Sequence, residues 1–162
     1  MSLSTLRVSY QSLHHNMSYT IDNVRPAFEL TGRNYIVTGG AQGIGFALTH
    51  AICEMGGNVA VWDIQASPVA DFDALRAKFG TKAIYIQTDV TSQESLQNAF
   101  DQTLEEFKTV DGCVPAAGIA IDKPFIDQTW EDFNRIQEIN VSLHANLRPY
   151  AVAIDNGRSL TY

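Results

Sequence analysis

The stretch Asn34-Tyr35-Ile36-Val37-Thr38-Gly39-Gly40-Ala41-Gln42-Gly43-Ile44-Gly45 decides how this chain is read. A short apolar run meets a glycine-rich turn, and the turn opens into residues whose apolar positions recur every three or four places. The order is therefore strand, turn, helix. Three glycines answer three needs: a sharp turn off the strand, close approach of the backbone to a diphosphate, and close packing of helix on strand. The start of the helix adds free N–H groups and the positive end of its dipole, which suit an anion. The spacing, Gly39-x-x-x-Gly43-x-Gly45, departs from G-x-G-x-x-G. Read alone, such a turn serves equally well as a tight connection between strand and helix.

Working outward, Ile44, Ala47, Leu48, Ala51, Ile52 and Met55 form a helical stripe closed by Gly56-Gly57, with His50 off it on the surface. Asn58 to Trp62 is nearly all apolar, as in a parallel strand covered on both faces. Asp63 ends that strand, where it serves as a turn former or, in a dinucleotide fold, as an acceptor for ribose hydroxyls. Ser67-Pro68 predicts a helix start, with Val69, Phe72, Leu75 and Phe79 facing the sheet and Gly80 closing it. Ala83 to Gln87 makes a third strand. Thr91-x-x-Glu94 then reads as a capping box ahead of the stripe Leu96, Ala99, Phe100, Leu104 and Phe107.

Gly112-Cys113-Val114 is the fourth strand and runs into Pro115-Ala116-Ala117-Gly118. Thr129 predicts a cap for a last helix, with Asp132 at its third position. Phe133, Ile136, Leu143 and Leu147 are expected on one side, Asn140 at the edge of that face, and a break near Leu147 caused by Pro149.

Composition bounds the function classes. The 162 residues suit one domain, 45% hydrophobic and 18% charged. A net charge of -7, from 11 basic and 18 acidic residues, argues against nucleic acid and anionic membrane as partners. Cys53 and Cys113 read as buried thiols of a reducing compartment, and no apolar run reaches the length of a membrane span. Residues 1–30 are expected to be a flexible arm; His14-His15 lacks the further ligands of a metal site, so no metal is expected. Arg7 is the sole arginine before Asp22, and the expected location is cytoplasmic rather than mitochondrial.

The glycine turn, together with the lead-in Phe28-Glu29-Leu30-Thr31-Gly32-Arg33, resembles the cofactor loop of the short-chain dehydrogenase/reductase family. The resemblance implies cofactor contacts at Gly39, Gly43, Ile44, Gly45, Asp63, Asp89, Val90, Ala117 and Gly118. It also implies NAD rather than NADP: Asp63 would repel a 2′-phosphate, and Gln42 stands where NADP users often carry a basic residue. Asp89-Val90 resembles the pair that contacts adenine, although Asp89 suits a turn cap equally well. The family usually shows Asn-Asn-Ala-Gly after the fourth strand. With Pro115-Ala116 there, a cross-sheet amide is missing and a less stiff sheet centre is expected.

Ile139-Asn140-Val141 is similar to the motif whose Asn holds a water of the proton relay, which makes Asn140 the candidate catalytic residue. A lone amide beside an apolar stripe is otherwise a structural one. After Val141 the motifs stop, and neither the catalytic Ser nor Tyr-x-x-x-Lys follows, since Tyr150 precedes Ile154 by four places. Residues 149–162 are expected to be an atypical tail, a hairpin about Asn156-Gly157 or a disordered end, from non-homologous sequence such as a retained intron.

The expected architecture is α/β, a Rossmann-like doubly wound parallel sheet in the order 3-2-1-4, truncated after the fourth βα unit. Residues 31–148 form its NAD(P)-binding half-domain. The surrounding sequence is similar to fungal polyol and ketose reductases of the arabinitol, mannitol or sorbose type, which implies hydride exchange with a secondary alcohol or ketone. A non-catalytic dinucleotide-binding or interaction module is the alternative. Self-association through the exposed fourth strand is expected in either case.

Overall fold

The computed structural model describes residues 25–69, 72–143, 145–148 and 150. Four strands, β1 (Asn34–Thr38), β2 (Asn58–Asp63), β3 (Ala83–Gln87) and β4 (Gly112–Pro115), form one parallel sheet in the order β3-β2-β1-β4. This is the doubly wound order expected. Thr38 pairs with Trp62 on one side and Pro115 on the other, and Asp63 with Gln87, so the strands end level and their loops emerge at one edge.

Alternation along the strands sends side chains to two core layers. Ile36, Ala60, Trp62 and Ile86 pack with Leu96, Phe100 and Phe107 of α3 (Gln93–Phe107), and with Leu143, Leu147 and Tyr150. Val37, Val59, Val61 and Ala83 pack on the other face against Cys53 of α1 (Gly43–Glu54) and Phe72 and Leu75 of α2 (Phe72–Phe79). Trp62 is fully buried, and its indole N–H donates to Thr103 Oγ1 at 3.1 Å, which meets the polar requirement of a buried indole.

Several local expectations give way to packing. In α1 the buried residues are Gly45, Thr49 and Cys53, while Ile44 is 79% exposed and Leu48 37%. The helix lies too close to the glycine turn for large side chains: a Cβ on Gly45 would sit 2.0 Å from the Gly39 carbonyl oxygen. α2 begins at Phe72 rather than Pro68, with the Phe72 N–H donating to the Val69 carbonyl. The cap of α3 is Ser92, which accepts from the Ser95 N–H, because Thr91 is already engaged. Its N–H and hydroxyl both donate to Asp89 Oδ1, at 2.9 and 2.7 Å.

The last helix, α4 (Trp130–Gln137), carries the predicted capping box between Thr129 and Asp132. Lys123 Nζ donates to both Asp132 carboxylate oxygens, at 2.8 and 2.7 Å. With the Thr129 N–H, it holds that carboxyl below its usual range. A π turn, Glu138–Ser142, follows, and residues 143, 145–148 and 150 are again helical.

The expected single apolar face is split. Phe133 is half exposed, whereas Leu143 and Leu147 are buried. A π turn inserts one residue into the helical repeat and so rotates one half against the other. Nor does the helix stop near Leu147: Tyr150 is helical, its ring 4.9 Å from Phe100 and 6.5 Å from Trp62. Packing overrides the local preference there.

The sheet centre also has the tie it was expected to lack. Thr38 Oγ1 accepts the N–H groups of Ala116 and Ala117, each at 3.2 Å, in place of a cross-sheet amide. The Asn156-Gly157 hairpin and most of the N-terminal arm lie outside the described residues.

Candidate functional site

The loops that leave the sheet at its C-terminal edge enclose an open groove of about 1080 Å³. It lies where the chain, having gone from β1 to β2 and β3, returns to β4 on the other side of β1, the crevice in which doubly wound sheets hold ligands. Gly39, Gly43, Ile44, Gly45, Asp63, Asp89, Val90, Ala117, Gly118 and Asn140 all line this one groove. Residues spread over a hundred positions of sequence thus face one space.

The floor is backbone. Gly39 has φ +66, its N–H donates to the Trp62 carbonyl at 2.7 Å, and a Cβ there would lie 2.6 Å from Ala117 Cα. Only glycine fits both the conformation and the contact. The N-cap of α1, Gln42, makes no side-chain cap bond, whereas α3 and α4 are capped by Ser92 and Thr129. The first turn of α1 contains no acid either. Its N–H groups and dipole therefore stay open to an anion in the groove.

Asp63 is buried at the end of β2. Its Oδ2 accepts from the Ala41 N–H at 3.0 Å and its Oδ1 from the Gln65 N–H at 3.1 Å. Each oxygen keeps a lone pair for a further donor, and the carboxylate pins the glycine turn to β2. Burial first, and the Asp63 charge second, push the nearby Tyr85 phenol up to about 12; its hydroxyl donates to the Gln65 carbonyl at 2.8 Å. Asp89 is the turn cap that one reading expected, and Val90 beside it is buried in the α3-side core.

Asn140 sits in the π turn with both halves of its amide engaged. Oδ1 accepts from the Ile119 N–H at 2.8 Å, and Nδ2 donates to the Ile119 carbonyl at 2.9 Å. The side chain thus clamps the loop after β4 onto the helix, as a structural amide does. One lone pair and one hydrogen remain for other partners.

The sequence reading missed the opposite wall. Glu131, Asn134, Arg135 and Glu138 of α4 and its π turn line the groove together with Ile119 and Ile139. Their spacing, i, i+3, i+4 and i+7, is a polar helical stripe, legible in the sequence but passed over for the apolar stripe beside it. Charges on the lining are Asp63, Asp89, Glu131 and Glu138 against Arg135. His50 stands away from the groove, its ring edge on Phe79 and its Nδ1 3.7 Å from Glu54. Both cysteines are free thiols; burial pushes Cys113 up to about 12 and raises Cys53. Among the described residues no helix is long and apolar enough to cross a membrane, and no cluster of metal-ligating side chains occurs.

Comparison with known proteins agrees with this geometry. A family model described as enoyl-(acyl carrier protein) reductase matches residues 39–157. The match continues past Val141, against the expectation that family-like sequence ends there. A short-chain dehydrogenase/reductase of Armillaria gallica is 38% identical over 112 residues, covering 68% of this chain and 43% of that protein. Sorbose reductase of Candida albicans is 31% identical over 122 residues, covering 74% of this chain and 43% of the enzyme. Among solved structures, the NADPH-dependent 3-quinuclidinone reductase from Rhodotorula rubra superposes with a TM-score of 0.74 at 27% identity, over 84% of this chain and 52% of that one. The chain spans about half the length of these relatives. On the matched range, the sheet order and the glycine groove, this chain belongs to the short-chain dehydrogenase/reductase family.

Proposed function

We propose that the groove binds the adenosine and diphosphate end of a nicotinamide dinucleotide, and that the chain is the nucleotide half of an oxidoreductase for secondary alcohols or ketones. The uncapped start of α1, facing the groove beside Gly39, is the observation that carries this reading. A diphosphate supplies the anion that this helix end lacks. Asp63 takes ribose hydroxyls on its remaining lone pairs, and Val90 backs the adenine. Asn140 holds the Ile119 loop in place and offers its spare amide hydrogen to a relay water.

NAD is the favoured nucleotide, since a 2′-phosphate would meet the Asp63 carboxylate. The NADPH dependence named for the Rhodotorula rubra enzyme points the other way for that protein. A bound nicotinamide supplies the hydride acceptor. The likeness to sorbose reductase supports a polyol or ketose as the substrate of a full-length form. These residues contain no Tyr-x-x-x-Lys, so the chain by itself is expected to bind without turnover.

Among the described residues β4 is an edge strand of the sheet, and Trp130 and Phe133 are exposed, which supports self-association. Calorimetric titration of NAD and NADP into the purified chain tests the assignment. NAD is expected to bind more tightly; equal or tighter binding of NADP removes Asp63 from its role.

A further inference from the structure

We infer that Arg135 is a cofactor-contacting residue whose guanidinium covers the adenine ring from the α4 side of the groove. The inference rests on the dinucleotide reading above and adds a residue that the glycine turn, Asp63 and Asp89 do not predict. Arg135 lines the groove together with Val90 and Ile139. Ile139 packs against the core cluster that contains Val90. Arg135, one turn earlier, shares that side of the helix, and the helix runs from the groove down to Leu143 and Tyr150 in the core. Arg135 and Val90 thus border one groove, with Arg135 one turn before Ile139 on the helix.

Charge points the same way. Arg135 is the only basic side chain among the described residues that line the groove, against the acids Asp63, Asp89, Glu131 and Glu138. Among the described residues its guanidinium makes no ion pair, although Glu131 and Glu138 flank it at i−4 and i+3. It is exposed and available. A planar, weakly hydrated guanidinium stacks on an aromatic face in a way that a lysine ammonium does not. With Val90 and Ile139 giving the same groove an aliphatic lining, a flat purine bound there would meet both an apolar surface and a cation.

The test compares Arg135→Gln and Arg135→Lys with the unaltered chain by calorimetric titration of NAD, AMP and inorganic pyrophosphate. Circular dichroism confirms that each variant folds. Arg135→Gln is expected to weaken NAD and AMP alike, by about two- to fivefold, to leave pyrophosphate unchanged, and to be rescued only in part by lysine. Equal weakening of pyrophosphate would show a general charge effect and overturn the adenine contact. Unchanged affinity for AMP in Arg135→Gln overturns this inference while the dinucleotide reading stands. An unaltered chain that binds neither AMP nor NAD overturns both.

Discussion

On the glycine side of the groove the lining is backbone held by a sheet, whereas on the α4 side it is a row of side chains on a helix with no buried residue. The first wall is fixed several times over. Gly39 hydrogen-bonds to Trp62 and touches Ala117, Asp63 bonds to Ala41, and fully buried Val37 and Val61 lie beneath. The second is fastened by the Asn140 clamp on Ile119, the capping box at Thr129, and Leu143 beyond the π turn. If the groove takes the dinucleotide proposed above, the difference assigns each wall the features of it that the wall would read. A rigid backbone surface recognises what every dinucleotide shares, a diphosphate and a ribose. Long side chains on a lightly held helix would adapt to the base.

The largest break in this comparison comes from Gly45→Ala. The new methyl group would meet the Gly39 carbonyl at 2.0 Å, a backbone atom that cannot swing aside. A loss of about 3 kcal/mol or more is expected, together with loss of NAD binding. Urea denaturation and titration measure both, and a variant of unaltered stability would mean that the glycine wall is not the rigid one. Asn140→Ala comes next, leaving the Ile119 N–H and carbonyl without their partner. About 1–3 kcal/mol should be lost, with hydrogen exchange accelerated at Ile119 but not at the amides of β1 and β2. Uniform acceleration would instead join the two walls into one unit.

The smallest effect belongs to the α4 cap, where Thr129→Ala should cost about 1 kcal/mol. Acid reaches the same spot. The Asp132 carboxyl is depressed by Lys123 and Thr129, so its contribution is complete above the ordinary carboxylate pKa and is lost as pH falls through the lower folded-state value. Loosening of α4 at that pH, seen by fluorescence of Trp130 while the sheet persists, would sharpen the distinction between the walls.

Much of the glycine side was legible in the sequence, because its signals are local. A strand followed by three glycines, and an acid at the next strand's end, place Gly39 and Asp63 wherever the chain goes later. The strand order followed from the same βαβ rule. What failed was the inference from apolar periodicity to a buried face. In α1 the helix approaches the turn so closely that Gly45, Thr49 and Cys53 occupy the contact and Ile44 faces out. In α4, which buries no residue, Glu131 and Arg135 line the polar groove while Phe133 stays half exposed. Periodicity locates a helix; what lies opposite it decides which stripe is inside. The Asn140 clamp on Ile119 spans 21 residues of loop and helix, a pairing that no local pattern encodes.

The π turn at Glu138–Ser142 has a consequence for how this helix can change over time. It works as a phase joint. Before it, positions answer to the groove; after it, Leu143, Leu147 and Tyr150 answer to the core. A continuous α-helix would tie the two sets to one angular frame, about 100° per residue, so that any shift favouring the ligand would misalign the packing. With one surplus residue at the joint, the upper half is free to drift toward a new ligand while the lower half keeps the fold. Deleting a single residue from the joint would swing one set by about 100° against the other, leaving either the groove without Arg135 or the core without Leu143.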